Sequence, residues 1–497
     1  MLKEHEEHIP SVSLASLRIL LSLLSALCVL CASCPLRFVS CHSRYTIVME
    51  RGGMMRDDAG MSEIDTRLWA LAHASPFGER PDLGRMRRLL AHLGDPQIGL
   101  PVLHVGGTAG KGSTATIAAA LLTAAGYRTG LHTKPHLRRV NERIVVNGAP
   151  ISDGDLLALI EEAAPAARAV QPTWYEFTVA LAFLHFRRIA VDIAVIEVGL
   201  GGTYDGTNVV QPLVAVLTNV GLDHTEILGD TVEEIARDKV AIIKPGCIAI
   251  TGVTQPNVRE IVAERAATVG VPLWRLGDEI RLNVLYTHQN NSGGRGATFH
   301  LDVNEREREH LHLNLIGLHQ AKNAALAIAA TDALSSHGLT VSDDVIQCVL
   351  ETVSIPGRLE IVAQKPTIIL DGAHNPDKID ALLAALRHFS MHRRLVVVAA
   401  FTRRHDVTAM LARLAPVVDH LVLTSFAMYS DFGPGQAIAP DELAALFATF
   451  QPRGTSEVVP NPIAAVAAAR EWANSDDCVC VTGSLYLVGA VRDALVT

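Results

Sequence analysis

The chain has 497 residues, 49% of them hydrophobic, which is more than one hydrophobic core usually absorbs, so two or more domains are expected. Its formal net charge of -9 excludes a surface that attracts nucleic acid as a whole. Anionic ligands must therefore be held by local basic sites.

In chain order, the first feature is an apolar run from Ile19 to Ala32 after Arg18, similar to a short signal or anchor segment. It is shorter than the ~20 residues that cross a bilayer. The expectation is that translation begins downstream, at Met49, Met54, Met55 or Met61, and that residues 1–60 are an extension outside the chemistry. Four of the eight cysteines, Cys28, Cys31, Cys34 and Cys41, lie in this stretch. The Cys28-x-x-Cys31-x-x-Cys34 spacing suits a metal, but without acidic or histidine neighbours these side chains read as small apolar groups. The sparse cysteines elsewhere suit a reducing, cytoplasmic location.

The apolar run Val102 to Val105 leads into His104-Val-Gly-Gly-Thr-Ala-Gly-Lys-Gly-Ser-Thr114, and Thr116 to Ala125 reads as a helix. Glycines at 106, 107, 110 and 112 allow a tight turn whose amides, with the helix N-terminus and Lys111, surround phosphate oxygens. The pattern departs from G-x-x-x-x-G-K-[ST]: the loop is one residue shorter, and Gly112 separates Lys111 from Ser113. Next come candidate strands at Val191 to Val198, Leu213 to Thr218 and Ile248 to Thr251, apolar enough to be buried on both faces. The first carries Glu197 near its carboxyl end, where an open α/β sheet binds ligands and an oxygen donor suits Mg²⁺. After the second come His224 and the capping box Thr231-Val-Glu-Glu234, which starts a helix running to Lys239. Gln289 to Ala297 and the charge run Glu305 to Glu309 read as a hairpin or loop excursion, the charges forming a solvated face.

A second alternating series follows Pro356-Gly357: Thr367 to Leu370, Leu395 to Ala400, His420 to Thr424, Glu457 to Val459 and Cys478 to Thr482. The expected architecture is α/β: a P-loop-containing parallel-sheet ATP-binding domain over 61–355, then a smaller Rossmann-like domain over 356–497 without the dinucleotide fingerprint.

Taken together, several motifs resemble the folylpolyglutamate synthase/dihydrofolate synthase branch of the Mur ligase family. They are Thr108-Ala-Gly-Lys-Gly-Ser113, Pro135-His-Leu137, Glu142-Arg-Ile144, Glu176-Phe-Thr178, Glu197-Val-Gly-Leu-Gly-Gly202 and Asp205-Gly-Thr-Asn208. Leu222-Asp-His224, Lys239, Gly317 to Asn323, Pro356-Gly-Arg358, Asp371 to Pro376 and Thr482 to Tyr486 continue the series in family order. The resemblance implies an ATP-dependent ligase of folate biosynthesis and one-carbon metabolism that adds L-glutamate to a folate or to dihydropteroate. It places ATP on Gly110, Lys111, Gly112, Ser113, Asn323, Arg358 and Asp371. Mg²⁺ falls on Ser113, Glu197, His224 and Lys239, the last as a carbamate. Lys111, Lys239 and His374 are the implied catalytic residues, and Glu176, Phe177, His374 and Ser484 the implied substrate contacts. A cytoplasmic monomer with no nucleic-acid or membrane partner is expected.

One departure concerns the metal. Lys134 stands where the family usually has a serine that helps bind Mg²⁺, and a protonated lysine is no ligand. Its ammonium takes over part of the cation's role, or Ser113 and waters hold the metal. Ala109 and Thr203-Tyr204 also depart from the usual residues. The competing readings are a related amide ligase of another pathway, such as cell-wall synthesis, and a nucleotide-binding protein made inert by Lys134.

Overall fold

A computed structural model describes residues 62–73, 83–286, 296–388, 394–403, 406–431 and 433–496. The apolar segment and the cysteine cluster before Met61 lie outside these residues. Among those described, eight strands form the larger sheet: β1 (Val102–Gly106), β2 (Thr129–His132), β3 (Ile144–Val146), β4 (Ala149–Pro150), β5 (Ile193–Glu197), β6 (Val214–Leu217), β7 (Ile248–Thr251) and β8 (Leu273–Arg275). Their order is β4-β3-β2-β5-β1-β6-β7-β8. From β2 to β8 the neighbours are parallel, while β3 and β4 add an antiparallel edge.

Register positions the site. β1 is buried throughout and lies between β5 and β6, with Val105 opposite Glu197 and Gly106 opposite Leu217. The glycine loop, Glu197 and the Thr218-Asn219 turn therefore leave the sheet side by side at its carboxyl edge, where open α/β sheets bind ligands. Two alanine-rich helices, Lys111–Ala124 and Leu318–Leu334, pack on one face into the same hydrophobic core. On the other face, Trp174, Phe177, Phe183 and Phe186 of the helix Trp174–Ile189 fill a second core. The helix after the glycine loop begins at Lys111, earlier than the periodicity predicts, because left-handed Gly110 (φ 81°) turns the chain straight into it.

The excursion is a three-stranded antiparallel sheet, β9 (Ile280–Tyr286), β10 (Ala297–Val303) and β11 (Arg306–Leu313). Its charge run is not wholly a solvated face. Arg308 is buried, as are Leu311 and Leu313 of the same strand, and it pairs with Asp332 at 2.7 Å and Asp343 at 2.6 Å.

The smaller sheet contains β12 (Glu360–Gln364), β13 (Thr367–Leu370), β14 (Leu395–Ala399), β15 (His420–Leu423), β18 (Thr455–Val458) and β19 (Cys478–Thr482). Between β15 and β18 lies a separate hairpin, β16 (Ala427–Ser430) and β17 (Gly433–Gln436). The order β12-β13-β19-β14-β15-β18 is parallel except at β12, and its inward faces bury Val396, Val398, Val479 and Val481. The change from one sheet system to the other falls between Thr352 and Glu360. Among the described residues, no helix is long and apolar enough to cross a membrane.

Candidate active site

The loop after β1 is built by close approach. At Gly107 (φ 139°) a Cβ would lie 2.0 Å from Thr218 Oγ1, and at Gly110 one would lie 2.3 Å from Asn323 Oδ1. Neither position accepts a side chain. The Thr218 hydroxyl donates to the Ala109 carbonyl at 2.6 Å, and the Ala109 N–H donates to Asn219 Oδ1 at 2.7 Å, so β6 braces the loop. Lys111 lies back on its own loop, its Nζ donating to the carbonyls of Gly107 at 2.8 Å and Thr108 at 3.2 Å. Burial lowers its pKa and Glu197 opposes that shift.

Glu197 is buried and accepts the Lys134 backbone N–H at 3.0 Å. Burial raises its pKa, with Lys111 the main opposing charge. His224 adopts a left-handed backbone (φ 50°), and burial lowers its pKa, leaving a neutral imidazole able to bind a metal. Lys239 ends the helix Val232–Lys239, is buried, and donates from Nζ to the Gly107 carbonyl at 3.3 Å. That carbonyl thus receives both Lys111 and Lys239. Burial, then the charge of Lys111, brings the Lys239 pKa down to about 7.

A cavity of about 770 Å³ opens over this edge. The larger sheet contributes Gly110 to Ser113, Glu197 and His224, the helix Leu318–Leu334 contributes Asn323, and the smaller lobe contributes Arg358, Asp371 and His374. Asp371 accepts the N–H groups of Leu359 and Ala373, both at 2.9 Å, and so fixes the Arg358 turn against its own loop. His374 Nδ1 donates to the Gly372 carbonyl at 2.8 Å, which leaves Nε2 to accept from Lys378 Nζ at 2.9 Å. A smaller cavity, about 230 Å³, shares Ser113, Lys134, Glu197 and Arg358 with the first and runs under the linker toward Leu485.

Sequence reasoning passed over Thr218, Asn219, Asp223 and Lys378, all of which line the larger cavity. Thr218-Asn219 had a readable signal, two polar residues at the carboxyl end of a buried strand. Lys378 stands one helical turn after His374, a spacing that gives it no distinction in sequence.

Three expected substrate contacts, Glu176, Phe177 and Ser484, have intramolecular packing or capping partners. Glu176 is buried, caps its own helix through the Thr173 N–H at 2.8 Å and pairs with Arg85 at 2.6 Å. Phe177 is 0% exposed inside the second core. Ser484 is buried and caps the helix Leu485–Arg492, accepting the Tyr486 N–H at 3.1 Å. A helix start is a place for packing and capping residues, and here those roles occupy the side chains. Phe177→Ala should therefore cost about 3–5 kcal/mol of stability, read as a lower denaturation midpoint, with turnover per folded molecule near the parent value. Lost turnover at unchanged stability would support the substrate role.

Residues 105–331 match the Mur ligase middle domain, and residues 357–485 match the Mur ligase, glutamate ligase domain. The dihydrofolate synthase/folylpolyglutamate synthase of Bacillus subtilis is 36% identical over 439 residues, covering 87% of this chain and 98% of the relative. The chain belongs to the folylpolyglutamate synthase/dihydrofolate synthase family. It shares with that family the Mur ligase fold and its ligase class. The Escherichia coli dihydrofolate synthase/folylpolyglutamate synthase is 32% identical, covering 83% of this chain and 92% of its own. E. coli FolC in complex with DHPP and ADP superimposes with a TM-score of 0.76 at 29% identity, covering 87% of this chain and 97% of that one. Mycobacterium tuberculosis folylpolyglutamate synthase complexed with ADP and AMPPCP gives 0.74 at 31% identity, covering 84% and 96%.

Proposed function

We propose that this chain joins L-glutamate to dihydropteroate, to a folate, or to both, using ATP and an acyl-phosphate intermediate. The supporting observation is one cavity in which a glycine loop at a helix N-terminus meets Lys111, Glu197 and His224 from one lobe and Arg358, Asp371 and His374 from the other. The relatives' names and the complex with DHPP and ADP support the acid and the nucleotide, and the complex with ADP and AMPPCP supports the nucleotide.

A carboxylate oxygen of the acid attacks the γ-phosphorus, the bond to the bridging oxygen breaks, and ADP leaves. The neutral amine of glutamate then attacks the acyl carbon, phosphate departs, and the amine loses a proton. Lys111 swings from the Gly107 and Thr108 carbonyls toward the transferring phosphoryl group, while loop amides hold the phosphates behind it. Arg358 and Asp371 bring the smaller lobe onto the nucleotide, which keeps water from the acyl phosphate. His374, held by Lys378, faces the same cavity and is assigned to the incoming glutamate.

The donor set fits Mg²⁺, which takes one or two carboxylates and completes its shell with phosphate and water. Among the described residues there is no cluster of three His, Cys, Asp or Glu side chains. Glu197 and the Ser113 hydroxyl would hold Mg²⁺, with His224 beside them, and the ion would supply charge neutralisation at the phosphates. Carbamylated Lys239 belongs to the same proposal, since its buried amine loses its proton near neutrality.

Glu197→Gln should raise the Mg²⁺ concentration for half-maximal turnover by roughly 10–100-fold, measured by metal titration with melting curves as a folding control. A titration that overlays the parent would remove Glu197 from the metal site. For the activity, purified protein is given ATP, Mg²⁺, glutamate and either dihydropteroate or tetrahydrofolate, and products are weighed by mass spectrometry. Gain of a glutamyl residue on either acid supports the reading; ATP hydrolysis indifferent to both acid and glutamate refutes it.

A further inference from the structure

The hairpin β16–β17 brings a carboxylate from the smaller lobe to two cations of the larger one. Asp431, in its turn, is buried, lies 2.8 Å from Arg143 Nη1 and 4.0 Å from Lys134 Nζ. Arg143 is fixed. It is 0% exposed, its guanidinium sits 4.6 Å over the Trp174 ring, and its Nε donates to His136 Nδ1 at 2.9 Å. Lys134 is not fixed in this way. Its side chain is 21% exposed, its Nζ lies 5.6 Å from the Tyr175 ring centre, and the 4.0 Å approach to Asp431 exceeds a hydrogen bond.

Lys134 also borders the phosphate site. It lines both cavities with Ser113 and Glu197, and its backbone N–H is bonded to Glu197. Its charge is felt at Lys111, Glu197 and His224. A lysine ammonium is a point charge on a flexible stem, so its use at a phosphate depends on what orients it. Tyr175 bounds it on one side and Asp431 draws it from the other.

We propose that Asp431 is a positioning residue for phosphoryl transfer, tethering the Lys134 ammonium at the mouth of the phosphate site when the two lobes meet. Arg143 holds Asp431, and Asp431 holds Lys134. The tether is loose enough for the ammonium to reach a phosphate or the attacking carboxylate. Because the carboxylate comes from the smaller lobe, the cation is placed only in the closed arrangement, when water is excluded. Burial alone would raise the Asp431 pKa, but Arg143 and then Lys134 outweigh it, so the tether stays charged. The proposal rests on the phosphate site assigned above.

The test is a double-mutant cycle with Asp431→Asn, Lys134→Met and both together, reading kcat at saturating substrates and ATP affinity in metal-free buffer. Asp431→Asn should lower kcat by roughly 10–100-fold and leave ATP affinity near the parent value. Lys134→Met should lower both. The double variant should turn over no more slowly than Lys134→Met, because Asp431 acts through that ammonium. If Asp431→Asn fails to fold when Arg143 loses its partner, Asp431→Glu replaces it: the charge is kept, the carboxylate is displaced, and its smaller kcat loss should also vanish in the Lys134→Met background. A kcat loss that persists undiminished in that background, or a variant that melts earlier but turns over normally, would overturn the proposal. An inactive parent enzyme would overturn the ligase reading, and the tether with it.

Discussion

Lys111→Ala is expected to lower kcat by roughly 10²–10³-fold, the usual loss when one oriented group that stabilises developing charge is removed. The side chain starts from two carbonyls of its own loop, so it is already collected beside the position that the phosphates take. Burial lowers its pKa, and the charge of Glu197 opposes that shift. The substitution spares the fold, because Lys111 opens a helix and alanine is the best helix former. Turnover at saturating ATP, with a melting curve on the same sample, checks the prediction. A near-parent rate would remove Lys111 from the chemistry.

Lys239 is expected to be nearly as sensitive. At the C-terminal end of its helix an ammonium would ordinarily be favoured by the helix dipole, yet burial and Lys111 outweigh that and bring its pKa down to about 7. As pH rises through that value the amine loses its proton, and the neutral form is the one that can add CO₂. Lys239→Ala should lose roughly 10²-fold or more in kcat, and a short-chain carboxylic acid in the buffer should restore part of it by filling the anionic position. Lys239→Arg should be as poor as the alanine variant, since it stays a cation. Enzyme stripped of CO₂ should regain activity on adding bicarbonate, faster one pH unit above that pKa than one below. Full activity of the arginine variant would return Lys239 to an ordinary structural cation.

The strands that position these groups were legible because they are buried on both faces. Ile248–Thr251, Thr367–Leu370 and Cys478–Thr482 have the expected bounds, and the other candidates shift by one or two residues. The short antiparallel edges, β3, β4 and β12, were not seen, since two to five residues half-covered by neighbours carry no periodicity. Nor was the hairpin that carries Asp431: its strands hold glycine, proline and serine, and only their pairing with each other makes them strands. The glycine loop was readable, as Gly106, Gly107 and Gly110, where an added Cβ would meet a neighbour closer than 3 Å, all stand within one motif. The burial of Glu176 and Phe177 was not legible, because a motif names a position in the chain and is silent about which side of the helix faces the cavity. Lys134 was recognised as a departure, but its partner lies 297 positions away in sequence and only the fold joins them.

The most direct measurement follows an oxygen atom. If the acid's carboxylate attacks the γ-phosphorus, one of its oxygens leaves with phosphate when glutamate displaces it. With dihydropteroate or a folate labelled with oxygen-18 in the reacting carboxylate, the inorganic phosphate released during glutamate addition should carry the label, in step with amide formed. Unlabelled phosphate accompanying product would contradict an acyl phosphate formed in the cavity between the glycine loop and Arg358.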